Sequence, residues 1–150
     1  MAPLDNTAMI QQAIQLAIAP VFLLTGIASL LGVMAHRLAR IIDRARHFEG
    51  KWGDLDEMAL ASARAEMVNL ERRRRLASWA INFCTFAALL VCTVIGTLFF
   101  EEFFQTDLKW VAGAEFIIAM VSLMGGLGCF QREVYVATHT VSIDATQFDR

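Results

Sequence analysis

Three long apolar runs constrain the fold of this 150-residue chain. Residues 16–35 and 76–100 contain no charged side chain over 20 and 25 positions, and residues 111–130 contain only Glu115 over 20 positions. A helix needs about 20 apolar residues to cross the roughly 30 Å hydrocarbon core of a bilayer. A soluble domain of this length has no outer layer left to bury three such helices. The sequence therefore predicts a single all-α membrane domain over residues 1–150, with three transmembrane helices.

The distribution of arginine and lysine predicts how the spans are oriented. Residues 36–75, between the first two runs, hold ten of the thirteen Lys and Arg residues. Positive charge close to the ends of a span marks its cytoplasmic side. We therefore expect residues 36–75 and the C-terminal segment 131–150 to be cytoplasmic, and the N-terminus and the 101–110 connection to lie outside.

The 36–75 segment is predicted to form an antiparallel helical hairpin. The first helix continues without a breaker through residues 36–49, and its apolar seam is Leu38, Ile41, Ala45 and Phe48. Gly50 and Gly53 indicate a turn. Asp54 with Glu57 has the pattern of a capping box that begins the second helix. The apolar seam of that helix is Leu60, Ala63, Met67 and Leu70.

Two further predictions concern the ends of the helices. Residues 1–15 have an amphipathic pattern that leads into the first span, and Pro20 then predicts a kink or a restart of the helix because proline has no backbone N–H to donate. After residue 130 the third helix is expected to continue toward the hairpin, with its last few residues frayed.

Small or polar residues recur at helical spacing on each span. The stripe of the second span is Ser78, Asn82, Thr85, Leu89, Thr93 and Gly96. The first span carries Thr25, Ser29, Gly32 and His36, and the third carries Glu115, Ala119, Ser122, Gly125 and Cys129. Helices in lipid associate through such residues, so one hypothesis is that the three stripes face each other in a tight bundle. The other is that, in a homo-oligomer, the second-span stripe lines a cation-permeable pore with Leu89 as a hydrophobic constriction.

Acidic residues collect on the predicted outer side, where they would form the mouth of such a pore. They are Glu101, Glu102, Asp107 and Glu115. In a ring of subunits this charge would concentrate cations. Glu115 is the only acid within a span, and an intramembrane carboxylate is a functional candidate by default. Its other interpretations are that it reaches outward to water, or that it is protonated against Gln12, Gln15 or Thr97.

Basic residues and one acid form a predicted cytoplasmic cluster. Its members are Arg37, Arg40, Asp43, Arg44, Arg46, Arg72, Arg73, Arg74 and Arg75. Asp43 lies three residues from Arg40 and from Arg46, within ion-pairing reach of both on a helix. The consecutive arginines at 72–75 point in different directions around a helix, which favours an anchor among anionic headgroups over a nucleic-acid site. The alternative function is accordingly a membrane scaffold whose basic hairpin binds a cytoplasmic protein partner or anionic lipid.

The sequence offers no pattern typical of catalysis, cofactor binding or metal binding. His36 and His47 would lie about 16 Å apart along one helix, too far to share an ion. The glycines at 125–128 and the three cysteines fall within spans, where they are interpreted as packing residues. We therefore expect neither an enzyme nor a cofactor.

The stretch APVFLLTGIASLLGVMAHRLARIIDRAR, residues 19–46, resembles a bacterial membrane-protein family known only as a domain of unknown function, the 2721 family. The resemblance rests on Pro20, the small-residue stripe and the arginines around Asp43, and it extends more loosely over most of the chain. It implies a bacterial multi-pass membrane protein, which, together with the predicted helical spans, we expect to lie in the inner membrane. It implies no activity and no site residues.

Overall fold

The computed structural model describes residues 3–51 and 57–141, and these are helical except for one connection at 105–108. Helix α1 spans Pro3–Lys51, α2 spans Glu57–Phe104 and α3 spans Lys109–Val141. The predicted all-α class is confirmed.

Each helix contains a segment that is long and apolar enough to cross a membrane. These segments are Ile14–His47, Ala63–Phe104 and Lys109–Thr138, and the mean hydropathy of their most apolar windows is 2.3, 2.3 and 1.7. They include the three predicted runs. By length and composition, the prediction of three candidate spans is confirmed.

Helix α1 is longer and less interrupted than predicted. Pro20 lies inside it, so the predicted restart at this residue is wrong. Proline removes one backbone hydrogen bond from the helix, and this loss is tolerated in apolar helices where neighbouring groups compensate for it. Gly50 also belongs to α1, so the first glycine of the predicted turn is helical. Gly53 and Asp54 lie outside the described residues.

The connection between α2 and α3 is shorter than the predicted 101–110 loop. Helix α2 continues to Phe104 and is followed by Gln105, which has a left-handed φ of 51°. A single left-handed residue after the last helical turn is a common way for a helix to end. The Leu108 carbonyl then accepts the N–H groups of Val111 and Ala112 at 2.9 and 3.1 Å, which opens α3.

The chain divides into two compact units. The first comprises the described parts of Met1–Leu31 and Phe83–Met124. Its core is built from small residues of α2, and Cys84, Ala87 and Val91 are fully buried there. Small side chains let helix backbones approach closely, which is how helices associate in lipid.

A hydrogen bond between helices joins α3 to α2 in the first unit. The Ser122 hydroxyl donates to the Phe83 carbonyl oxygen at 3.0 Å. Ser122 is buried, and a buried hydroxyl must find such a partner because no water is present to replace it.

The second unit comprises the described parts of Gly32–Asn82 and Gly125–Arg150. Its core cluster consists of Ile41 on α1 with Leu70 and Ala77 on α2. Leu38, Ala45 and Met67 pack against this cluster. Five of these six residues belong to the two apolar seams of the 36–75 segment, and Ala77 extends the second seam into the apolar run.

Large apolar side chains cover much of the outer surface of the helices. Exposed examples are Phe22 on α1, Phe86 on α2, and Ile117, Val121 and Met124 on α3. A contiguous apolar surface of this kind is not stable in water and requires lipid or another chain to cover it.

The alanine core of the first unit generates a prediction. Ala87 is 0% exposed, so Ala87→Leu should overpack the helix contacts and lower the free energy of unfolding by about 1–3 kcal/mol. Ala19→Leu, at an exposed position of the same unit, should change it far less. Thermal unfolding of both variants in detergent measures the difference, and equal effects would show that Ala87 is not closely packed.

Candidate functional site

The most distinctive polar site is a buried glutamate held by two arginines. Glu133 on α3 is 0% exposed, and it is the one buried charged residue among those whose side-chain burial the structure describes. Arg73 on α2 donates from Nε and Nη2 to Glu133 Oε1, at 3.1 and 3.0 Å. Arg37 on α1 places its Nε 3.4 Å from Glu133 Oε2. One carboxylate therefore contacts cations from two other helices, all within the second unit.

The charges at this site are not balanced one to one. Two guanidinium groups face one carboxylate, and the arginine side chains keep 32% and 23% of their exposure, so each remains partly solvated. Glu133 Oε2 lies within ion-pair distance of Arg37 but accepts no hydrogen bond. The Arg37 guanidinium also lies 5.3 Å from the centre of the Phe130 ring, a cation–π arrangement.

This geometry identifies a structural ionic lock between helices. A carboxylate removed from water is stable in its charged form only when close cations compensate for the lost solvation. The triad joins three helices through one carboxylate, so the contact that it makes is a clamp between helices.

Sequence reasoning predicted the two arginines but missed the glutamate. The sequence places Arg37 and Arg73 in the basic cytoplasmic cluster, with Arg73 in the run that favours a headgroup anchor, and does not single out Glu133. A signal was present, because Glu133 is the single acid of residues 116–143 and directly follows the third apolar run. An acid that stands alone close to the arginine-rich end of a span is expected to form an ion pair, because an unpaired charge there is costly.

Within the described residues, the other members of the basic cluster form more exposed ion pairs or none. Arg44 donates from Nε to Glu66 Oε1 at 2.9 Å, which links α1 to α2. Arg74 and Arg75 both bind Glu71 on their own helix. In the described structure four members of the cluster form no ion pair: Arg40, Asp43, Arg46 and Arg72.

The expected ion pairs of Asp43 therefore do not form. Asp43 is exposed, and neither Arg40 nor Arg46 lies within ion-pair distance of it in the part of the chain that the structure describes. Exposed pairs on a helix surface contribute only about 0.2–1 kcal/mol, which is too little to fix two flexible side chains.

The second-span stripe faces away from the other helices of the chain. Its six members are all exposed: Ser78, Asn82, Thr85, Leu89, Thr93 and Gly96. The opposite side of α2 is buried instead, through Ala77, Ala80, Cys84, Ala87, Val91 and Val94. The hypothesis that this stripe packs the bundle within one chain is therefore wrong, because a less polar face of alanine, cysteine and valine takes that place.

The stripes on the other two helices differ from each other. All four members of the first-span stripe are exposed, and two of its hydroxyls are satisfied by their own helix. Thr25 donates to the Val21 carbonyl oxygen at 3.2 Å, and Ser29 donates to that of Thr25 at 3.1 Å. In the third-span stripe Ala119 and Ser122 are buried, so this stripe does face the interior of the chain.

Three of the four predicted outer acids lie together. Glu101, Glu102 and Asp107 line one shallow pocket of about 250 Å³ with Gln105, Thr106 and Lys109. Lys109 Nζ lies 3.9 Å from Glu101 Oε1. In the described part of the chain, no group of three or more His, Cys, Asp or Glu side chains is arranged to hold a metal ion.

The fourth acid, Glu115, is bound within the first unit. The Thr97 hydroxyl of α2 donates to Glu115 Oε2 at 3.1 Å. Thr97 is one of the three partners that the sequence suggested for this carboxyl group.

A groove on the second unit brings together residues that the sequence placed in different sets. It has a volume of about 240 Å³, and α1 and α2 contribute Leu38, Ile42, Arg74, Arg75, Ser78, Trp79 and Asn82. Arg74 and Arg75 of the basic cluster therefore share one surface with Ser78 and Asn82, the first two members of the second-span stripe.

Three long apolar helices with an apolar outer surface define a multi-pass membrane protein. The chain belongs to the family described as Protein of unknown function (DUF2721), whose model matches residues 17–143. This confirms the family resemblance of the sequence. No curated protein and no solved structure is significantly similar to the chain.

The ionic lock generates a prediction about stability. Glu133→Gln keeps the shape of the side chain but leaves Arg37 and Arg73 without their counter-charge, so the free energy of unfolding should fall by about 3 kcal/mol. Glu66→Gln is the matched control, because it removes a carboxylate from an ion pair whose arginine is 62% exposed, and it should cost about 0.2–1 kcal/mol.

Unfolding in detergent, followed by circular dichroism, measures both changes. A double-mutant cycle with Arg73→Gln then isolates the interaction, since Arg73→Gln should cost less in the Glu133→Gln background than in the original chain. Additive effects of the two substitutions would contradict the lock.

Proposed function

We propose that the protein forms a homo-oligomer in the inner membrane whose subunits turn the α2 stripe toward a cation-permeable pore. The N-terminus would lie outside and the C-terminus in the cytoplasm. The observation that carries the proposal is that all six stripe residues are exposed on the single chain. A face of serine, asparagine, threonine and glycine gains little from contact with lipid tails, so a neighbouring subunit or water is the better environment for it.

Unsatisfied polar groups on the stripe support this environment. Among the described residues, Asn82 and Thr85 have no hydrogen-bond partner, whereas the Thr93 hydroxyl donates to the Leu90 carbonyl oxygen at 2.7 Å. An amide or hydroxyl without a partner is costly in hydrocarbon. Water in a pore, or a polar group of the next subunit, would remove that cost.

The remaining features fit a pore that favours cations. Leu89 is 60% exposed and stands between Thr85 and Thr93, where it would narrow a wet path by an apolar ring. The acids Glu101 and Glu102 follow the stripe at the C-terminal end of α2, with Asp107 in the connection. Repeated around a ring, this charge would raise the local concentration of cations.

A scaffold function is the second candidate, and a different observation favours it. Arg40 and Arg72 are exposed and form no ion pair within the described residues. Two cations with no counter-charge among the described residues are available to an acidic protein partner in the cytoplasm. Arg37 and Arg44 are engaged inside the chain and belong to the fold rather than to such a surface.

The pore proposal predicts a conducting ring whose current depends on Leu89. The mass of the purified protein in nanodiscs should correspond to three or more subunits, and the same sample should conduct in a planar bilayer. Leu89→Ala should raise the single-channel conductance because it removes the constriction. Leu127→Ala, an exposed position of α3 outside the stripe, should leave it unchanged. A monomer, a dimer or a silent ring would contradict the pore.

The scaffold candidate predicts loss of a partner without loss of fold. Arg40→Glu with Arg72→Glu should abolish co-purification of a cytoplasmic protein that cross-links to the original chain, because both cations are reversed. Arg40→Lys with Arg72→Lys keeps the charge and should retain most of the binding. Thermal unfolding should be similar for both pairs, and equal recovery of the partner with both would exclude this surface.

A further inference from the structure

We propose that the groove between α1 and α2 on the second unit binds the headgroup of an anionic phospholipid. The groove contains Arg74, Arg75, Ser78, Trp79 and Asn82 of α2. It goes beyond the proposed functions because it assigns a ligand to a defined site. In a conducting assembly it would take Ser78 and Asn82 out of the pore lining and leave Thr85, Leu89, Thr93 and Gly96 to line the permeation path.

The position of the groove is that of the headgroup layer. Arg74 and Arg75 directly precede the uncharged run 76–100. Trp79, one turn further along α2, is 58% exposed. Tryptophan is enriched where the hydrocarbon meets the headgroups, and arginine directly outside it. The groove therefore opens where a lipid presents its phosphate and glycerol.

The donors of the groove follow the polar part of a phospholipid along the helix. At 1.5 Å per residue, Asn82 lies about 10–12 Å along the axis from the arginines, with Ser78 about midway. In the described structure neither Ser78 nor Asn82 has a hydrogen-bond partner. A phosphate bound by the arginines would place its glycerol ester oxygens nearer to these two donors, and the acyl chains would leave the groove past Trp79.

The charged side chains in and beside the groove carry a net positive charge, which a bound anion would neutralise. Glu71 Oε2 accepts from Arg74 Nε at 2.8 Å, and Glu71 Oε1 lies 3.3 Å from Arg75 Nε. Two arginines against one glutamate leave one positive charge, which one phosphodiester would neutralise. Arg75 is 74% exposed, and exposed ion pairs are weak, so a phosphate can compete with Glu71. Hydrogen bonds from arginine to phosphate are among the stronger ones in proteins.

The apolar floor of the groove favours a lipid over free phosphate. Leu38 and Ile42 of α1 line it beside Trp79. Inorganic phosphate gains nothing from these side chains, whereas the upper part of an acyl chain would cover them and gain from their burial. Basic grooves between transmembrane helices on the cytoplasmic side are a recurrent setting for anionic headgroups.

Native mass spectrometry of the detergent-solubilised full chain tests the site. The protein is titrated with phosphatidylglycerol and, separately, with phosphatidylcholine of the same acyl chains. Phosphatidylglycerol should bind more tightly. Arg74→Gln with Arg75→Gln should weaken it by about fivefold for each arginine, the factor equivalent to about 1 kcal/mol per basic residue near an anionic surface.

Two matched variants distinguish lipid binding in the groove from nonspecific electrostatic attraction of the lipid to the protein. Arg64→Gln with Arg72→Gln removes the same charge from exposed arginines that do not line the groove, and should leave the affinity nearly unchanged. Glu71→Gln removes the competing carboxylate and should increase the affinity. Equal losses in the two arginine pairs, or weaker binding with Glu71→Gln, would overturn the proposal.

A second measurement does not depend on how the arginine variants fold. In a chain with Trp52→Phe and Trp110→Phe, Trp79 is the remaining tryptophan. Phosphatidylglycerol brominated on its acyl chains should quench Trp79 more strongly than brominated phosphatidylcholine. Excess inorganic phosphate, compared with chloride at equal ionic strength, should not reverse the quenching. Equal quenching by the two lipids, or reversal by phosphate, would exclude a lipid headgroup site.

Discussion

The packing of the second unit depends on one carboxylate removed from water. Glu133 contacts guanidinium groups from two other helices, so α1, α2 and α3 are connected through a single side chain. Apolar burial is non-directional and does not by itself distinguish between helix arrangements that bury similar apolar surface. A buried charge with defined partners therefore selects one arrangement of these helices over others that bury similar apolar surface, in the way that single polar residues fix register in other helical assemblies.

The two sides of helix α2 differ in composition and in exposure. One side is buried and consists of alanine, cysteine and valine, which permit close packing. The other is exposed and begins, beyond the arginines, with Ser78 and Asn82 in the groove before it continues to Thr85 and Leu89. If lipid occupies the groove, the wet part of a pore begins at Thr85. The two proposals therefore divide one helix face between a lipid and a permeation path.

Much of the architecture could be predicted from the sequence, and the site could not. The three spans follow from uninterrupted apolar runs, whose lengths match a bilayer. The sequence does not predict whether the α2 stripe is buried or exposed. Both sides of this helix carry small residues, and spacing alone does not say which side packs against the other helices. Glu133 was missed because its partner Arg73 is 60 residues away, and no local pattern reports so distant a contact. By contrast, Thr97 and Glu115 are 18 residues apart across a short connection, and their pairing could be suggested.

The order of the ionic lock along the chain has a consequence for biogenesis. A ribosome synthesises Arg37 first, Arg73 next and Glu133 last, so both cations are already present when the third helix emerges. The last helix therefore brings its carboxylate to two cations that are already present, so Glu133 need not be buried without a counter-charge while the rest of the chain is made. The contact among the three helices is therefore complete only once α3 has been synthesised.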